Sequence, residues 1–204
     1  QEAGVTSLIG DFSGFTGAGK ISGGTLSVET VFGGSVDVNS GGTLAGTGTT
    51  GNIAFNAGSF YQAYIDGNGF ITSTRTATID AGSQVNVEFG DIANVAIWQP
   101  IEILTAATIT GEFGSTNQDN YLFLNFALSY DPTSVFLTLS RNGVSFADFA
   151  QTPNQVAVAN VVNVLPNGND LYDAFTTQKD AAAIPGILDQ LTGEAHASTQ
   201  SIVI

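Results

Sequence analysis

The chain has 204 residues, of which 43% are hydrophobic and 11% charged, with 25 Gly and 14 Phe, a composition that excludes a charged disordered tail or a coiled coil. Four Lys and Arg against 18 Asp and Glu leave a formal net charge of −14, which repels phosphate backbones and anionic headgroups, so nucleic acid is not an expected partner. The absence of Cys removes disulfides, thiolate zinc sites and cysteine nucleophiles, and favours an exported protein that passes an oxidising compartment without crosslinks.

No apolar run approaches the roughly 18 residues of a membrane-spanning helix. The start at Gln1-Glu2-Ala3 carries no signal segment and reads as that of a mature or excised fragment. Along the first half, one short pattern recurs: Ser22-Gly23-Gly24-Thr25-Leu26-Ser27-Val28, Phe32-Gly33-Gly34-Ser35-Val36-Asp37-Val38 and Ser40-Gly41-Gly42-Thr43-Leu44. Ala57-Gly58-Ser59-Phe60 and Ala81-Gly82-Ser83-Gln84-Val85 vary it. A glycine turn followed by alternating aliphatic and polar residues predicts a tight turn and a half-buried strand. Units this short gain a core only by stacking, so the economical expectation is a solenoid with coils of about 20 to 25 residues. An antiparallel sandwich gives similar turn spacing and stays open as the alternative.

From residue 97 the apolar stretches lengthen, in Ile97-Trp98-Gln99-Pro100-Ile101-Glu102-Ile103-Leu104 and in Tyr121 to Leu128. Ser129 to Ser134 reads as a turn and Val135 to Leu139 as a returning strand, which together form a hairpin. Laid over the last coil, that hairpin closes the stack and hides an edge that otherwise invites aggregation. The expected core of this cap is Trp98, Ile101, Ile103, Leu122, Leu124, Phe126, Phe136 and Leu137.

After Arg141-Asn142-Gly143 the period moves toward 3.6. Thr152-Pro153-Asn154-Gln155 is written as a capping box with Pro at the first helical position. Val158, Val161, Val162 and Leu165 supply one apolar stripe of the helix that follows. A second helix is expected over Asp170 to Gln178 and a third from Pro185 through Leu191. The layout is therefore all-β to about residue 142, with a short helical segment over 143–204.

Gly41-Gly42-Thr43-Leu44-Ala45-Gly46-Thr47-Gly48-Thr49 resembles the passenger-associated repeat of Gram-negative type V autotransporters. Residues 57 to 141 resemble the autochaperone region of that family. Gln151 to Gln155, followed by Leu188-Asp189-Gln190-Leu191-Thr192-Gly193-Glu194-Ala195-His196-Ala197-Ser198, resembles the entry to its barrel domain. The resemblance implies a right-handed parallel β-helix, capped by the hairpin. It also implies outer-membrane passage and exposure or release at the cell surface. Its implied partners are a translocator β-barrel C-terminal to this segment and the outer-membrane assembly machinery.

Function classes can be weighed on the same residues. The only His is His196 and the only cations are Lys20, Arg75, Arg141 and Lys179. A nucleophilic triad would have to use His196 in the helical tail, and no Gly-x-Ser-x-Gly elbow is present. Asp66 with Asp80 or Glu88 could form a carboxylate pair, although solvated strand faces explain acids at such positions. Asp66-Gly67-Asn68-Gly69 lacks the later bidentate acid of a calcium loop and reads as a hairpin turn. Asp37, Asn39 and Ser40 read as a polar strand end. Phe55, Phe60, Tyr61, Tyr64, Phe70, Phe89 and Trp98 suit core stacking better than a carbohydrate platform. The expectation is a non-enzymatic structural passenger segment without metal or cofactor that seeds extracellular folding, with an adhesin for host matrix or glycans as the rival and a polysaccharide- or ester-cleaving enzyme last.

Overall fold

Three turns set the spacing of the strands. In Asn39–Gly42, Asn56–Ser59 and Asp80–Ser83 the N–H of the fourth residue donates to the carbonyl of the first at 2.9, 3.0 and 2.9 Å. Gly41 and Gly58, third in their turns, hold φ of 81° and 76°, where a side chain is strained. The turns lie on one another, with Gly41 N–H donating to the Gly58 carbonyl and Gly58 N–H to that of Gly82, each at 2.8 Å. Asn56 Nδ2 also donates to Asn39 Oδ1 at 3.1 Å, so the polar strand end at Asn39 is one rung of a side-chain ladder.

The computed structural model describes residues 1–65, 67–90 and 97–192. Strands between these turns fall alternately into two sheets. The first holds β1 (Val5–Leu8), β3 (Gly24–Val28), β5 (Gly42–Gly46), β8 (Phe60–Ile65), β10 (Gln84–Phe89) and β12 (Ser115–Thr116), each parallel to the next. The second runs through β2 (Ala18–Ile21), β4 (Ser35–Val38), β7 (Ile53–Phe55), β9 (Ile71–Ile79) and β11 (Pro100–Gly111), also parallel, with β6 (Thr49–Thr50) beside β9. Thr25 faces Thr43, Thr43 faces Phe60, Phe60 faces Gln84 and Gln84 faces Ser115, offsets of 18, 17, 24 and 31 residues. The second sheet repeats the 17 and 24, with Val36 on Ile53 and Ile53 on Ala77. The expected period of about 20 to 25 residues is thus a spread from 17 to 31. It widens late because β9, with 9 residues, and β11, with 12, are longer than the strands they follow, and the connection after β10 is longer too. The fold is mostly β, with one parallel sheet and one mixed sheet.

Those pairings correct one local expectation. The segment following Ile65 is not a hairpin: β8 and β9, on either side of it, belong to different sheets, so it is a crossover. Asp66 lies outside the described residues.

Inward positions alternate along each strand, as the pleat requires. Val36, Val38, Ile53, Phe55, Val85 and Val87 are buried between more exposed neighbours. Close approach of paired strands restricts certain glycines. A methyl at Gly46 (φ 108°) would overlap the Val28 carbonyl, and one at Gly111 (φ 84°) that of Ile79.

Two compact units can be distinguished: Gln1–Asp91 with Trp98–Gln118 and Phe126–Leu139, and Ile92–Ile97 with Asp119–Asn125 and Ser140–Ile204. In the second, Ser145 and Asp148 form a capping box on the 3-10 turn Phe146–Phe149. The expected box of Thr152 and Gln155 opens α1 (Pro153–Asn163), and Asn169 caps α2 (Asp170–Thr176). The third helix, α3, covers Ile184–Thr192. The apolar stripe of α1 differs from the expectation, because Val161 is 62% exposed while Gln155, Ala159 and Val162 face inward. Gln155 takes the inward place of an apolar residue because its amide is fully used: Oε1 accepts from Gln151 N–H at 2.6 Å and Nε2 donates to Asp189 Oδ1 at 2.6 Å. The Arg141 guanidinium lies 4.3 Å from the Phe146 ring centroid and 5.5 and 5.6 Å from those of Phe123 and Tyr172. Its Nη2 donates to the Val144 carbonyl at 2.6 Å, so cation–π attraction replaces a carboxylate partner. No helix among the described residues is long and apolar enough to cross a membrane.

Candidate folding cap

The second sheet changes direction at its end. On the free edge of β11, β14 (Ser134–Arg141) pairs antiparallel, and β13 (Leu124–Tyr130) follows as the outermost strand. The hairpin turn is local chemistry: Asp131 Oδ1 accepts from Thr133 N–H at 2.7 Å, and Asp131 N–H donates to the Ser134 carbonyl at 3.0 Å. The Thr133 N–H, with smaller contributions from the Thr133 hydroxyl and the Ser134 N–H, holds the Asp131 carboxyl below its ordinary value. The turn is also tied to β11, with Ala106 and Ile109 N–H donating to the carbonyls of Thr133 and Pro132 at 2.9 and 2.8 Å.

Ile101 faces Leu137 and Glu102 faces Phe136, but Leu104 faces Val135, so Ile103 is the extra residue of a β-bulge. The bulge lets consecutive residues turn inward, and Ile103 and Leu104 are both buried. It also aims the Ile103 carbonyl at the Tyr61 hydroxyl, which donates to it. Burial pushes the Tyr61 phenol well up. Its ring lies 5.7 Å from Phe55 and 6.1 Å from Phe113, which are 5.1 Å from each other. Beside the bulge, Ser134 Oγ donates to Glu102 Oε1 at 2.6 Å. Tyr130 Oη accepts from Phe113 N–H at 3.0 Å, and burial, with the nearby Glu112 charge, raises its phenol.

Of the residues expected to form the cap core, Ile103, Leu124, Phe126 and Leu137 are buried, while Ile101, Leu122 and Phe136 are half-buried. Leu122 and Leu124 belong to the second unit and the rest to the first. Trp98 is the correction: it is 65% exposed, and Ile97 is the buried residue. A φ of 72° at Trp98 breaks the alternation just before β11, while its N–H donates to the Leu139 carbonyl at 2.8 Å. The aromatic set divides likewise, with Phe55 and Tyr61 in the core and Tyr64 exposed. Phe113, which completes the inner cluster, was missed because glycines flank it and no alternating run marks it.

Sequence reasoning also missed Asn117. Its Oδ1 accepts from Val87 N–H at 2.8 Å and its Nδ2 donates to the Val87 carbonyl at 3.1 Å. The side-chain amide thereby continues the ladder of β10 where β12 ends. Asp80 is exposed and bonds Gly82 N–H at 2.7 Å within its own turn, whereas its proposed companion Asp66, together with His196, lies outside the described residues.

No family model matches the chain. An extracellular serine protease of Serratia marcescens is 28% identical over 242 residues, covering 99% of this chain and 22% of that protein. The chain therefore spans about a fifth of the length of this curated relative. The similarity points to a secreted or surface location. It also corrects the non-enzymatic expectation, since the relative aligned along nearly the whole chain is an enzyme.

Proposed function

We propose that the chain is a length of right-handed parallel β-helix, closed by the β11–β14 cap, within an exported autotransporter-type protein. In this role the cap seeds folding outside the cell and the coils ahead of it stack on the seed. The passage partners are the translocator β-barrel and the outer-membrane assembly machinery. The longer protein carries serine-protease chemistry akin to that of the Serratia relative. The observation that carries the reading is the antiparallel seating of Leu137 on Ile101, which covers the end of an otherwise parallel sheet.

The energetics support the same role. No ATP is at hand outside the outer membrane, so burial of apolar surface, at about 25 cal/mol per Å², is the available bias against backsliding. Parallel pairing is slow because distant segments must meet first. A local hairpin with its own turn chemistry forms without that delay and presents β11 as a template. Leu137→Asp places a charge at a fully buried position and should slow refolding and reduce surface display. Wild-type refolding and display in that variant would refute the role. Peptidase assay of the longer protein, with His196→Ala beside it, tests the enzymatic part.

A further inference from the structure

One corner of the stack carries a cation with no ionic partner. Ala18 faces Ser35, Val36 faces Ile53 and Ile53 faces Ala77. Continuing that register toward the strand starts places Gly17, Gly34 and Gly51 in one column, and Gly51 falls opposite Thr74 and Arg75, where the register changes between Thr50 on Ser73 and Ile53 on Ala77. Along the column the Phe15 ring lies over Gly17 and Gly34, and the space left open begins at Gly51 and Arg75. The resulting notch has a volume of about 150 Å³ and is lined by Thr16, Gly33, Ser35, Gly51, Asn52 and Arg75.

Two of its acceptors are already used. The Gly51 carbonyl accepts from Ser73 Oγ at 2.5 Å, and Asn52 Oδ1 accepts from Thr76 N–H at 3.2 Å. That second bond orients Asn52 so that Nδ2 remains a donor. Among the described residues, nothing bonds Asn52 Nδ2, the Arg75 guanidinium or the hydroxyls of Thr16 and Ser35. An exposed guanidinium in a chain of net charge −14 has carboxylates available as partners, yet here it faces only neutral donors. Such a set matches an anionic oxygen ligand, which Arg holds bidentately.

The Phe15 ring lies against both Gly17 and Gly34, where a methyl would collide with it. Phe15 is 44% exposed and stacks on Phe32 with centroids 4.9 Å apart. A fixed aromatic face beside hydroxyl and amide donors suits the apolar face of a sugar ring. The notch is smaller than the about 300–1,000 Å³ of a drug-sized pocket, so it takes one charged group while the rest of the ligand lies outside it.

We infer that this corner is a binding site for a carboxylated saccharide of the uronate type, with Arg75 and Asn52 holding the carboxylate and Phe15 supporting a neighbouring ring. The site is independent of the folding role. Titration calorimetry of the full chain with an oligogalacturonate, its methyl-esterified form and an oligoglutamate tests it. Saturable binding of the acidic saccharide is expected, about tenfold weaker for the ester and for Arg75→Gln, with a smaller loss for Phe15→Ala. Arg75→Gln should refold at the wild-type rate, because Arg75 is exposed. Undiminished binding by Arg75→Gln or by the ester, preference for oligoglutamate, or no binding up to about 10 mM would overturn the assignment.

Discussion

The Tyr61 hydroxyl donates to the carbonyl of Ile103, 42 residues further along the chain, and so joins β8 of one sheet to β11 of the other. Tyr61 is fully buried, and the bulge at Ile103 is what presents the carbonyl to it. Tyr61→Phe keeps the ring contacts and removes the donor, leaving a buried carbonyl short of a partner. We expect a loss of about 1–3 kcal/mol, read from urea denaturation. Tyr61→Ala should cost more, about 3–5 kcal/mol, because the contacts with Phe55 and Phe113 go as well.

Gly111→Ala should destabilise strongly, because φ is 84° and the new methyl meets the Ile79 backbone. Gly143 has a similar φ of 86° with open space around it. Gly143→Ala should therefore cost only the left-handed penalty of about 1–2 kcal/mol. Comparison of the two midpoints isolates the coil contact; equal losses would show that the contact contributes nothing.

Trp98→Gly should be neutral or stabilising. The ring is exposed and the backbone sits at positive φ, where glycine removes strain of about 1–2 kcal/mol and adds unfolded-state entropy of smaller size. A fall of the about 3–5 kcal/mol typical of a core Trp would restore Trp98 to the interior.

Asp173 is 1% exposed and its Oδ2 has no hydrogen-bond partner. Burial raises its carboxyl above the ordinary value, with Asp170 adding repulsion and the Gly168 N–H opposing both. The folded state therefore holds the proton more tightly than the unfolded chain. Stability falls as pH rises from about 3.9 through the folded value, and stays reduced above it. Asp173→Asn should raise the helical unfolding midpoint at neutral pH and leave it unchanged below pH about 3. An unchanged midpoint at neutral pH would show that the buried carboxylate carries no cost.

Local chemistry was legible in the sequence. Thr152 and Gln155 announce their capping box within four residues, and the Gly-rich turns announce strand starts because only glycine fits the close approach of neighbouring backbone. Relationships set by distant packing were not. Gln155 looks like a cap residue alone, yet it fills an inward position because Asp189 waits 34 residues away. Trp98 looked like core because an apolar run gives no sign that the backbone turns over at its second residue. The column beside Arg75 has a readable signal in Gly17, Gly34 and Gly51, evenly spaced along the chain.

Asn117 makes the growing end of the first sheet self-terminating. With one amide it occupies both the N–H and the carbonyl of Val87, the very pair that a strand from another molecule would need for docking. Removal of that amide, as in Asn117→Ala, leaves the Val87 N–H and carbonyl as an open docking edge and converts a sealed rim into an adhesive one.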